Sequence, residues 1–153
     1  MPTILMVSED AARVATMTDW LRQQGYAVVT ARDAGQALVM VSETVPDLIL
    51  LEMQSDGRRG VIACRRLKAD LRLSGVPIVV LTGDHDMTTI DEAVAAGAKD
   101  YIVETLPRSI IASRLCTALR NEGGPFELSH TYERARREVH ATTIQPTELL
   151  KQL

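Results

Sequence analysis

The chain has 153 residues and a formal net charge of −3. That length suits one domain with a short extension, and that charge gives no electrostatic case for nucleic acid or an anionic membrane as partner. Hydrophobic residues make up 46% but aromatics only 3%, so the core must be aliphatic. No apolar stretch approaches a membrane span and the N-terminus lacks the order of a signal peptide, so a cytoplasmic protein is expected.

Thr3 to Val7 reads as a first buried strand, ending at Ser8-Glu9-Asp10. A helix follows, capped by Ser8 or Asp10, with Val14, Met17 and Leu21 on one face and Gly25 as its stop. Tyr26–Thr30 makes a second strand and Ala34–Val41 a second helix. Pro46-Asp47 then opens Leu48–Leu51, an apolar run that ends on Glu52. Such a run is a fully buried parallel strand, and its last residue stands at the carboxyl end, where open α/β sheets place their ligand chemistry.

A loop from Gln54 to Gly60 leads to a third helix marked by Val61, Ile62 and Leu67. Pro77–Leu81 is the fourth strand, ending at Thr82-Gly83. Asp86–Ala96 is the fourth helix, Tyr101–Val103 the fifth strand, and Pro107–Asn121 the fifth helix. Cys64 and Cys116 fall on apolar helix faces, as buried free thiols do. Five alternations imply a doubly wound five-stranded parallel sheet with helices on both faces.

The composition shifts at Gly123-Gly124-Pro125, which divides a domain over 1–122 from a linker and helical extension over 123–153. In that extension Leu128, Tyr132, Ala135 and Val139 form a narrow apolar stripe that needs a surface to bury against. Docking on the domain, pairing with a second copy, or leading to a further domain all satisfy it.

Several signposts occur in order. Ile4–Val7 runs into an acidic cluster, Pro46–Leu51 leads to an acid with Gly60 eight residues on, and Pro77–Leu81 ends at Thr82. Ala95-Ala96-Gly97-Ala98-Lys99-Asp100-Tyr101 completes the set. Together they resemble the response-regulator receiver domain of two-component signalling, over about four fifths of the chain. The resemblance implies the flavodoxin-like (βα)5 fold. It also implies a pocket in which two acids and an aspartate hold Mg²⁺, and in which that aspartate takes a phosphoryl group from a histidine kinase. A Thr/Ser and a Lys then bond the phosphoryl oxygens.

Laid onto this chain, the resemblance puts Ser8 and Glu9 at the acid positions, Glu52 at the phosphoacceptor, Thr82 at the switch hydroxyl and Tyr101 at the aromatic switch position. Glu104 stands in place of the lysine. Glutamate's extra methylene displaces the carboxylate by more than about 1 Å, a misplacement that can cost about a hundredfold in rate. The lost lysine removes a charge-assisted bond worth about 1.5–3 kcal/mol, and Glu104 adds repulsion.

The expected reading is therefore a degenerate receiver, not an enzyme, that works through protein partners and independently of phosphorylation. A histidine kinase, an output protein or a second copy would serve as partner, and Mg²⁺ or any other cofactor is not expected. Glu52 either mimics a phosphorylated aspartate by reaching towards Thr82 or is a solvated strand-end acid. The alternatives are an atypical phosphorylatable regulator using Glu52 or Ser8, or a metal or small-ligand sensor. Metal would draw on Glu9 and Glu52 with Glu104, unless Arg58 or Arg59 folds over the pocket or one acid has a raised pKa. For an interface, the family's use of helix four, strand five and helix five singles out Met87, Ile90, Val94, Arg108 and Arg114, with Arg108, Arg114 and Arg120 lining a solvated face of helix five. Leu128, Tyr132 and Val139 of the extension join that set.

Overall fold

The computed structural model describes residues 1–53, 57–83 and 87–120. Its strands are β1 (Thr3–Val7), β2 (Ala27–Ala31), β3 (Leu48–Met53), β4 (Ile78–Thr82) and β5 (Asp100–Val103). They alternate with helices α1 (Ala11–Gln23), α2 (Ala34–Val41), α3 (Gly57–Ala69), α4 (Met87–Ala95) and α5 (Arg108–Arg120). The strands pair in parallel in the order β2-β1-β3-β4-β5, which is the doubly wound sheet expected.

Two-residue periodicity sorts the strand side chains. Leu5, Val7, Ile49, Leu51, Ile78 and Val80 pack on one face with residues of α2, α3 and α4, such as Val41, Leu67 and Ile90. Ile4, Met6, Leu48, Leu50, Val79 and Leu81 pack on the other with Met17 and Leu21 of α1 and Ile111 and Leu115 of α5. Both faces are buried, so the strands read as continuous apolar runs rather than alternating ones.

Element ends follow local chemistry. Asp10 and Asp33, both extended, cap α1 and α2 with side chains that accept from first-turn N–H groups. After α4, Gly97 takes φ 115°, and a Cβ there would lie 2.6 Å from Lys68 Cγ. Lys68 is fixed by donating to Val76 O at 2.7 Å, so that corner needs glycine on two counts.

Several expectations shift. Tyr26 belongs to the turn before β2, its N–H donating to Leu21 O at 3.2 Å. Helix α3 begins at Gly57, before Gly60, whose bare Cα admits the Met53 side chain; a Cβ there would lie 2.6 Å from Met53 Cγ. Cys64 is fully buried, and burial pushes its thiol up to about 11, while Cys116 is only half-buried; both are free.

Of the interface candidates, Ile90 is a core residue at 2% exposure, whereas Val94 is on the surface. Arg108 is exposed and lies over the Trp20 ring, 4.8 Å from its centroid. Arg120 is exposed as expected, but Arg114 does not share a solvated face with it. It is buried, and its Nε and Nη2 bond both carboxylate oxygens of Asp100, at 3.0 and 2.5 Å. The stripe formed by Ile111, Leu115 and Ala118 turns position 114 inward, and the ion pair compensates the buried charge. The Met87 side chain, and Leu128, Tyr132 and Val139 with the whole extension, lie outside the described residues.

Candidate functional site

Strands β1 and β3 lie side by side at the centre of the sheet, Val7 opposite Leu51. Beyond them α1 packs on one face and α2 on the other. This divergence is the switch point at which doubly wound sheets open a crevice.

Ser8 follows β1, and its Oγ accepts from the Asp10 N–H at 3.1 Å. Asp10 Oδ1 in turn accepts from the N–H groups of Ala12 and Arg13, at 3.1 and 3.2 Å. That cap fixes Arg13 in the first turn of α1, at the sheet's carboxyl edge. Glu52 continues the row of Leu48 and Leu50, on the face that α1 covers.

Arg13 gathers three carboxylates. Its Nη1 lies 3.1 Å from Glu104 Oε2 and 3.6 Å from Glu52 Oε1, and its Nε 3.6 Å from Asp10 Oδ2. The Glu52 side chain is only 2% exposed, so it is not the solvated strand-end acid of one expectation. Burial pushes its carboxyl above the ordinary value; the Ser8 hydroxyl and Arg13 pull it back, and Glu104 and Asp10 add to the rise. Its Oε2 has no hydrogen-bond partner among the described residues.

Glu104 spans from Arg13 to Gly83, where an added Cβ would lie 3.0 Å from Glu104 Oε1. The glycine at 83 leaves room for the Glu104 carboxylate. Thr82 ends β4, buried, and its carbonyl accepts from the Glu104 N–H at 2.8 Å. Tyr101 is buried in β5 at 1% exposure, with Arg114 5.6 Å from its ring centroid.

Glu9 stands apart from this cluster. It is exposed and pairs with Arg59 at 3.6 Å, so the arginine does close over part of the pocket, on Glu9 rather than on Glu52. Among the described residues, no three His, Cys, Asp or Glu side chains converge as a metal-binding group. The three-carboxylate cage of Glu9, Glu52 and Glu104 is not formed: Arg13 lies between the latter two, and Arg59 holds the first. Ser8, Glu52, Thr82 and Glu104 are thus gathered at one edge as expected. Arg13 is the member that sequence reading missed, and Asp10, expected as a cap of α1 and found there, also faces Arg13.

No described helix is long and apolar enough to cross a membrane. The profile described as the response regulator receiver domain matches residues 4–115. The chain is similar to the DNA-binding response regulator MtrA of Mycolicibacterium paratuberculosis, 37% identical over 126 residues that make up 82% of this chain and 55% of that protein. It is also similar to the phosphate regulon transcriptional regulatory protein PhoB of Pseudomonas aeruginosa, 34% identical over 79% of this chain and 53% of that one. The chain therefore spans about half the length of these relatives. Among solved structures it resembles the BeF3-activated N-terminal receiver domain of Klebsiella pneumoniae RstA, at 31% identity and TM-score 0.67, covering 77% of this chain and 98% of that one.

Proposed function

The chain belongs to the response regulator receiver family of two-component signalling, and on that premise we propose that it signals by phosphorylation-independent protein–protein interaction and catalyses no reaction of its own. The observation that carries this reading is the Arg13 bridge between Glu52 and Glu104. In the family's chemistry an incoming phosphoryl group meets a carboxylate nucleophile and a lysine. Here the nucleophile's place is held by a longer, buried glutamate already facing a cation. The lysine's place is held by a carboxylate tied to that same cation.

A phosphoryl group entering this site would meet two carboxylates and would compete with both for one half-exposed guanidinium. With a carboxylate where the family has its lysine, the phosphoryl group's negative charge lacks the usual cationic partner, so transition-state stabilisation of the usual kind is absent. The Arg13 bridge instead supports one constitutive arrangement of the β4 and β5 ends, where Thr82 and Tyr101 stand. Mg²⁺ is not part of this reading, because Ser8 supplies no carboxylate and Glu9 is engaged by Arg59.

The partner is a protein of a signalling pathway: a histidine kinase, an output protein or a second copy of the chain. MtrA is named as DNA-binding, but the net charge of −3 on this chain supports a protein rather than nucleic acid as its direct partner. Residues 1–122 act as the receiver-like unit and 123–153 as an extension contributing to the interface. A direct test is the amide spectrum of the full chain with beryllium fluoride and Mg²⁺, a phosphoryl analogue. No change at Glu52, Thr82 and Tyr101 is expected; saturable shifts at these positions would overturn the reading.

A further inference from the structure

A second cleft, of about 210 Å³, opens between α2 and α3 beside the charged cluster. It is larger than the engineered cavity of about 150 Å³ that takes up benzene, and smaller than the roughly 300–1,000 Å³ of drug-sized sites. One substituted ring is its natural measure. Val7, Ala34, Leu51 and Ala63 give it apolar walls, and Ile62, 49% exposed, leaves an uncovered aliphatic surface at its edge.

The charges around the cleft are unequal in their engagement. Arg59 is held by Glu9 at 3.6 Å, and Asp33 Oδ1 accepts from the Gln36 N–H at 2.8 Å as the α2 cap. Arg32 and Arg66 also line the cleft, and neither has an ion-pair partner among the described residues. With Arg59 engaged, Arg32 and Arg66 are the two guanidiniums of the cleft left to meet an anion. Glu52 lines the cleft as well. Arg13 faces its Oε1, which leaves Oε2 as the buried oxygen with no partner among the described residues.

We propose that this cleft binds a small hydroxylated monocarboxylic acid, its carboxylate held by Arg32 and Arg66, its apolar body against Leu51 and Ile62, and its hydroxyl on Glu52. A carboxylate matches these two guanidiniums, with which it pairs in a bidentate fork. A hydroxyl suits Glu52 in either protonation state, since it donates to a carboxylate and accepts from a carboxyl. The site goes beyond the interaction role and does not depend on it. The cleft shares Ser8, Glu9 and Glu52 with the degenerate pocket, so a ligand there contacts residues of that pocket.

The test is titration of the ¹⁵N-labelled full chain with 4-hydroxybenzoate and 3-hydroxybenzoate, beside benzoate and 4-hydroxybenzyl alcohol. At least one hydroxy acid should give saturable amide shifts centred on Ala34, Gly60 and Ala63, with a Kd of about 1 mM or below. Arg66→Ala, at an exposed position that leaves the core intact, should weaken it about tenfold, as should removal of the carboxylate from the probe. Benzoate should bind several-fold more weakly than the better hydroxy acid. No saturable shift by about 10 mM, shifts centred elsewhere, or binding indifferent to both Arg66→Ala and Arg32→Ala would each overturn the proposal.

Discussion

Arg13 Nη1 lies 3.1 Å from Glu104 Oε2, joining residues 91 positions apart at the carboxyl edge of the sheet. The same nitrogen is 3.6 Å from Glu52 Oε1. One cation therefore stands between Glu52 and Glu104, and their mutual repulsion is offset from a third element, α1.

If that bridge stabilises the fold, Arg13→Ala should destabilise the chain by about 1–2 kcal/mol at neutral pH. The figure is modest because the Arg13 side chain is 47% exposed and so partly screened. Urea unfolding at pH 7 reads the effect, and the loss should shrink in acid, where Glu52 is protonated. An unchanged midpoint at neutral pH would show the bridge to be without energetic consequence.

Glu52 sets a pH dependence of its own. Burial raises its folded pKa above the ordinary 4.5, so between those two values the folded state holds a proton that the unfolded chain has released. Stability contributed by this group is therefore lost as pH rises through that window. Glu52→Gln removes the titration, and its stability relative to the native chain should grow from pH 4.5 towards neutrality. A difference that stays flat or falls with rising pH would mean that Glu52 is not held in a desolvated site.

The Arg114–Asp100 pair is the costliest to break singly. Both side chains are nine-tenths or more buried, so Arg114→Ala leaves an uncompensated carboxylate and should cost about 3–5 kcal/mol. Arg114→Met combined with Asp100→Leu should recover most of that loss, because an apolar pair of similar volume carries no desolvation penalty. Denaturant midpoints of the three proteins decide it. A loss near zero for the single variant would contradict the buried pairing.

The fold was legible because its signals are local and redundant: five aliphatic runs, glycines at helix ends, and acids at strand ends. Strand-end position also located Ser8, Glu52, Thr82 and Glu104 at one edge. Arg13 was missed because its partners are distant in the chain, yet a signal was present. A carboxylate at 104 facing another at 52 demands a cation, and Arg13 is the cation in the first turn of the helix that leaves β1. Arg114 was misassigned for a different reason. Its spacing from Ile111 and Ala118 already placed it against the apolar stripe, but an arginine is buried only with a partner, and nothing local marks Asp100 as that partner. Burial of Glu52, which decides between a solvated and an engaged acid, depends on how α1 and the β5–α5 connection close over the strand, and no sequence period reports that.

Intact mass after incubation with acetyl phosphate and Mg²⁺, alongside Glu52→Asp, tests phosphorylation independence most directly. The account predicts no phosphoryl adduct on the native chain, with Arg13 still bridging Glu52 and Glu104. A stoichiometric adduct on the native chain, at Glu52 or Ser8, would contradict it and make the protein an atypical phosphorylatable regulator.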